Sequence, residues 1–263
     1  PHLLVKPSNM SIVNITTGTD PSEISLAGAT VFPKDGVVFT MKLIENQRAH
    51  AIAVSGTSGG DGAAALFNAF ANALQDIAGN FLLTDLFNTI TEHDDVIIPQ
   101  VVDATVNYST GVIVLYASET IDTSPTSFVT VGDIAVVNVS GGELYDFMIP
   151  LNSAVVTESD DVKVTIKMTE KQRVGAIAAS GTPGGDGISL VVDIKENALR
   201  DVAKNFINKT HNIRLNETRD SILPVPFNAT LNFSEGVITI RHSETIDSTP
   251  NTLVALDRIQ IVN

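Results

Sequence analysis

The chain contains no cysteine and no tryptophan, only 3 tyrosines, and 16 lysines and arginines against 30 aspartates and glutamates. Each shortage excludes something. Without cysteine there are no disulfides, thiolate metal sites or thiol nucleophiles. So few large aromatics argue against a sugar-binding aromatic platform. A formal charge of −14 leaves no basic footprint for phosphates, so nucleic acid is not the expected partner. No apolar run approaches the length needed to cross a bilayer as a helix, so no membrane span is expected. The first residues do not form a basic region followed by an apolar stretch, and any secretory leader is expected to have been removed already. What is plentiful is Gly, Ser, Thr, Asn and Val, the balance of an all-β surface protein.

An internal repeat organises the chain. Residues 41–138 align with 166–263 at a constant offset of 125, with 42 identities over 98 positions. QRAHAIAVSGTSGGDG (Gln47 to Gly62) returns as QRVGAIAASGTPGGDG (Gln172 to Gly187), and ASETIDTSP (Ala117 to Pro125) as HSETIDSTP (His242 to Pro250). The period is the size of a whole domain. Its phase matters more: the strand ending IVN at Asn14 recurs as VVN at Asn138 and as IVN at Asn263, so Leu3 to Asn14 duplicates Thr252 to Asn263.

Apolar alternation predicts strands over Val37 to Leu43, Val162 to Met168, Ala104 to Val106, Val112 to Leu115, Thr230 to Leu231 and Val237 to Ile240. Tyr108 to Gly111 and Phe233 to Gly236 supply hairpin turns. Each repeat also predicts one short helix, opened in the second by a capping box at Thr169 and Gln172 and closed by the Gly-rich segment. Strands separated by turns every ten or so residues indicate a β-sandwich. Pro99, the run Ser118 to Asp122 and Asp76-Ile77-Ala78-Gly79-Asn80, with Pro224, Ser243 to Asp247 and Asp201-Val202-Ala203-Lys204-Asn205, resemble elements of bacterial and archaeal Ig-like (Big-type) domains of cell-surface, S-layer and large repeat proteins. Lys204 departs from the glycine usual there. The resemblance implies tandem Ig-like β-sandwiches: residues 1–94 lacking their first strands, 95–217 complete, and 218–263 the first strands of a further domain.

Candidate chemistry is sparse. The five histidines, His2, His50, His93, His211 and His242, show no metal-ligand spacing, and no nucleophile elbow, phosphate loop or HExxH motif is present. The repeated SGTxGGDG lacks the lysine of a phosphate cradle and follows a helix rather than preceding one. No catalytic site is expected. The repeated acids Asp61 and Asp186, Glu119 and Glu244, Asp122 and Asp247, with Asp76 and Asp201, are candidates for weak Ca²⁺ binding, because hard cations need several oxygens; no other cofactor is expected. Eight N-x-[ST] sequons occur, at Asn9, Asn14, Asn107, Asn138, Asn208, Asn216, Asn228 and Asn232, which points to covalent N-glycans.

These features predict a non-enzymatic extracellular or cell-surface glycoprotein that partners with copies of itself in a filament or S-layer. The phase leaves two readings open: the C-terminal strands of one subunit complete the N-terminal domain of the next, or the chain is a window of a longer periodic polypeptide whose neighbouring repeats supply them covalently. The alternative from the same sequence is an adhesin or ligand-binding module of a larger secreted protein.

Overall fold

A computed structural model describes residues 5–15, 22–32, 34–138 and 147–262. His2, Leu3 and Asn263, each named above, lie outside them. The N-terminal unit contains β1 (Met10–Val13), β2 (Ile24–Ser25), β3 (Thr30–Phe32), β4 (Thr40–Lys42), α1 (Glu45–Ala53), β5 (Leu66–Ala69) and β6 (Asp85–Thr89). The central unit contains β7 (Val101–Asn107), β8 (Val112–Ile121), β9 (Ile134–Asn138), β10 (Phe147–Pro150), β11 (Val155–Val156), β12 (Asp161–Lys167), α2 (Glu170–Ala178), β13 (Val191–Ile194) and β14 (Thr210–Thr218). A last hairpin, β15 (Pro226–Asn232) and β16 (Val237–His242), follows.

The expected tandem Ig-like sandwiches are not what forms. The central unit is one curled sheet of eight strands, ordered β10-β9-β13-β14-β7-β8-β12-β11. The difference lies in a single pairing. β14 lies parallel to β7, with Leu215 opposite Ala104 and Thr218 opposite Asn107. That ladder joins two four-stranded halves edge to edge, where a sandwich would stack them face to face. The curl brings both halves around one core, so Val106, Ile113 and Leu115 pack in the same cluster as Val136, Val192 and Ile194.

The helices arise as their sequences dictate. Thr169 caps α2, its Oγ1 accepting the Gln172 N–H at 3.3 Å while Gln172 Oε1 accepts the Thr169 N–H at 2.9 Å. In α1 the capping position is Ile44, so only the return bond forms, from the Ile44 N–H to Gln47 Oε1 at 3.1 Å. Both glutamines are buried because their amides tie the helix to the strands before it: Gln47 Nε2 donates to Ser25 O and Ala27 O, and Gln172 Nε2 to Pro150 O.

The N-terminal unit repeats this plan with one part missing. Its sheet β2-β1-β5-β6 corresponds to β10-β9-β13-β14, and its separate pair β3-β4 to β11-β12. Among the described residues, the hairpin that bridges the halves in the central unit, β7-β8, has no counterpart there. Its copy is β15-β16, which forms a two-stranded sheet by itself.

Candidate functional site at the joint between repeats

The charged groups that recur at a distance of one repeat meet where one unit joins the next. Arg48, on α1, forks onto Glu45 with both contacts at 2.8 Å, bonds Asp95 through Nη1, and reaches Glu119 Oε2 at 2.8 Å. Glu45 also accepts the Thr120 N–H at 2.7 Å. The first unit thus grips the linker after β6 and the Ser-Glu-Thr segment at the end of β8. Arg173 repeats the grip from α2, holding Glu170 at 2.7 and 2.8 Å, Asp220 at 2.5 Å and Glu244 at 3.2 Å, while the Thr245 N–H donates to Glu170 at 2.9 Å. Arg173 also donates to Tyr108 O at 3.1 Å. The Arg173 guanidinium holds the Glu170 carboxyl down at about 2. Both arginines are raised above their ordinary value, chiefly by the glutamate one turn earlier.

The loop from Asp201 to Asn205 completes the first joint. Asp201 is fully buried, and its two oxygens accept the Asn205 N–H at 2.8 Å and Asn205 Nδ2 at 2.9 Å. Asn205 Nδ2 also donates to Asp95 O at 3.1 Å. One oxygen each from Asp95, Glu119 and Asp201 lie within 4.8 Å of one another, the one such group of His, Cys, Asp or Glu ligands among the described residues. Burial pushes the Glu119 carboxyl up to about 7 against the pull of Arg48, and burial likewise raises Asp201. Nearby, Arg200 bonds Asp122 at 2.7 Å and stacks over the Phe128 ring.

The Gly-rich segment seals the joint by backbone contact. Ser58 Oγ donates to Ala203 O at 2.8 Å. A Cβ at Gly59, whose φ is +92°, would stand 2.0 Å from Val202 O, so only glycine fits. Its copy Gly184 has φ +93° but meets only Ile177, at 3.5 Å. The copy of Val202 is Ile77, which is almost fully exposed.

The remaining candidates are dispersed. Asp61 and Asp186 bond Asn14 and Asn138 and cap their own turns at Ala63 and Ile188, and Asp247 accepts the Thr249 N–H. His211 pairs with Asp193 at 2.6 Å, and neither His50, His93 nor His242 joins a ligand group. Among the sequons, Asn208, Asn216, Asn228 and Asn232 are exposed and Asn9, Asn14 and Asn107 are half-buried. Asn138 is buried, with its Nδ2 donating to Ala179 O and Asp186 Oδ2, so it is closed to glycan attachment in this fold. Sequence reasoning passed over Arg48 and Asp95. The signal was there, since both recur in register as Arg173 and Asp220 beside the repeated acids. Comparison with protein-family models, with curated proteins and with solved structures gives no match. The functional reading therefore rests on the joint's own geometry and on the repeat.

Proposed function

We propose that this chain is a non-enzymatic structural subunit, an extracellular glycoprotein that assembles head to tail into a filament or surface layer by lending its last hairpin to the next copy. One observation carries the reading. The three small sheets β2-β1-β5-β6, β15-β16 and β4-β3 correspond, in that order, to the continuous central sheet. The N-terminal unit offers the edges of β6 and β4, and β15-β16 has the sequence of the hairpin that fills the equivalent gap. Unpaired strand edges are templates for addition of a strand from another chain.

Burial supports the same pairing. Phe233 is 89% exposed and Ile238 43%, whereas their copies Tyr108 and Ile113 are each 0% exposed inside the central core. Apolar side chains in a hairpin gain by the same burial wherever the equivalent sheet is available. The contact is heterologous, with different surfaces on the two copies, so it propagates without needing to close.

The absence of native cysteine gives a clean test. Thr165 pairs with Val114 in the central sheet, and the corresponding residues at the joint are Thr40 and Thr239. A chain carrying Thr40→Cys and Thr239→Cys is expected to form a ladder of disulfide-linked oligomers under mild oxidation, and each single variant only dimers or nothing. A double variant that stays monomeric, or that closes a disulfide within one chain, overturns the reading.

A further inference from the structure

We infer that the joint between repeats is a binding site for a divalent cation of the calcium class, with Asp95, Glu119 and Asp201 as its carboxylate ligands. The ligands come from three separate places: the linker after β6, the end of β8, and the loop between β13 and β14. A cation held there pins the linker between the units onto the second unit, beside Arg48 of the first. The oxygens lie within 4.8 Å of one another, the span that calcium bridges when each ligand stands about 2.4 Å from the metal. All are hard oxygens, with no imidazole or thiolate, which selects calcium or magnesium over zinc or copper.

The cluster of acids alone would not establish this. The decisive group is Glu119, whose side chain is 6% exposed. Its Oε2 bonds Arg48, but its Oε1 is buried with no hydrogen-bond partner. A buried carboxylate oxygen without a partner costs free energy, and it is the feature that a bound cation removes. Charge points the same way. Glu45, Asp95 and Glu119 all bond the one guanidinium of Arg48, and Asp201, which Arg48 does not contact, stands beside Asp95 and Glu119. Asn205 holds Asp201 in place while leaving each of its oxygens a second lone pair.

The second joint carries the same signature. Glu244 Oε1 is also buried without a partner, beside Asp220. Its third ligand would be the copy of Asp201. Asp76, held by Asn80 at 2.7 and 2.8 Å in the same loop, is exposed in the first unit. On the head-to-tail reading, Asp76 of the next copy completes a second site between subunits.

Calcium titrated calorimetrically into the full chain, freed of metal by chelation, tests both sites. The wild type is expected to bind one Ca²⁺ per chain when dispersed and two when assembled, below about 1 mM, the upper range for extracellular calcium modules. Glu119→Gln and Asp201→Asn should each abolish the first site, and Asp76→Asn only the second. Thermal unfolding supplies a sign that a merely structural role would not produce. In chelator, Glu119→Gln raises the midpoint by relieving the crowding of Glu45, Asp95, Glu119 and Asp201, which Arg48 offsets only in part; in calcium it lowers it relative to the wild type. No binding up to that concentration, or binding indifferent to Glu119→Gln and Asp201→Asn, overturns the cation site. A dispersed chain that keeps one Glu119-dependent site but never assembles leaves the cation site standing and refutes the head-to-tail reading instead.

Discussion

Arg173 is the residue whose loss is felt most widely. Its side chain is 9% exposed, against 30% for Arg48, and it holds three carboxylates and a carbonyl. Removing one partner of a buried ion pair leaves the others uncompensated. Arg173→Ala is therefore expected to destabilise the chain by about 3 kcal/mol, and Arg48→Ala by less, in urea unfolding. Arg173→Lys should recover only part of this, because an ammonium cannot fork onto Glu170. Glu170 gives the pH dependence. Its carboxyl sits at about 2, below its ordinary value of 4.5. A depressed acid stabilises the fold above the unfolded value and loses that stabilisation as pH falls through the folded one. The window is therefore from about 4.5 down to 2. The hydrogen-exchange protection of the Thr245 amide, which Glu170 holds, should decline across it, and Glu170→Gln should flatten the decline. The carboxylate is partly exposed, so solvent screens the effect and keeps it modest.

At the scale of elements, the two helices differ by one cap. Thr169→Ala should cost about 1 kcal/mol by removing the hydroxyl acceptor, and Ile44→Thr should gain a similar amount by completing the box in α1. Both are read from denaturant midpoints. Gly59 and Gly184 form a sharper pair. Alanine at either is strained by its positive φ, at about 1 kcal/mol, but only Gly59→Ala also drives a methyl into Val202 O. In a dispersed chain Gly59→Ala should be the more damaging. In assembled material Gly184→Ala should block the joint as well, which electron microscopy would record as shortened or absent polymers. Much of this was legible in the sequence. The helix starts, the hairpins turning at Tyr108 and Phe233, and the recurrent Glu119, Asp201 and Gly-rich segment all stand out through the repeat. The parallel ladder of β7 on β14 was not. Alternating residues such as Ala104, Val106, Ile213 and Leu215 report that one face is buried. They carry no mark of whether the strand edge meets another sheet or ends beside it, because the bonds at the edge are made by backbone groups common to every residue type. Asn138 read as an open sequon for a different reason, since its motif reports only its two nearest neighbours. Its burial depends on Asp186 and Ala179, which lie far along the chain.

For the whole molecule, the phase of the repeat makes a prediction about which residues assembly requires. In the N-terminal unit β1 already lies between β2 and β5, and residues 254–262 duplicate 5–13. They have no free place in a neighbouring copy. A chain ending at Leu253 should assemble as well as the full one, whereas deletion of residues 221–263 should leave only dispersed protein, both read by light scattering. Failure of the shorter truncation to assemble would mean that the duplicated strand displaces β1 during exchange.

The parallel pairing of β7 with β14 also decides how such a chain would answer to tension. β7 opens the central unit and β14 closes it, side by side and pointing the same way. The polypeptide therefore enters at one end of the sheet and leaves at the other. A pull applied to both ends runs along the strands, and the hydrogen bonds between β7 and β14 must yield together in shear, whereas a hairpin pulled at its open end unzips bond by bond. The four residue pairs of that ladder, Ala104 to Asn107 against Leu215 to Thr218, at about 3.3 Å each, spread that load over about 13 Å. A thread of such units would resist stretching until a whole strand slips.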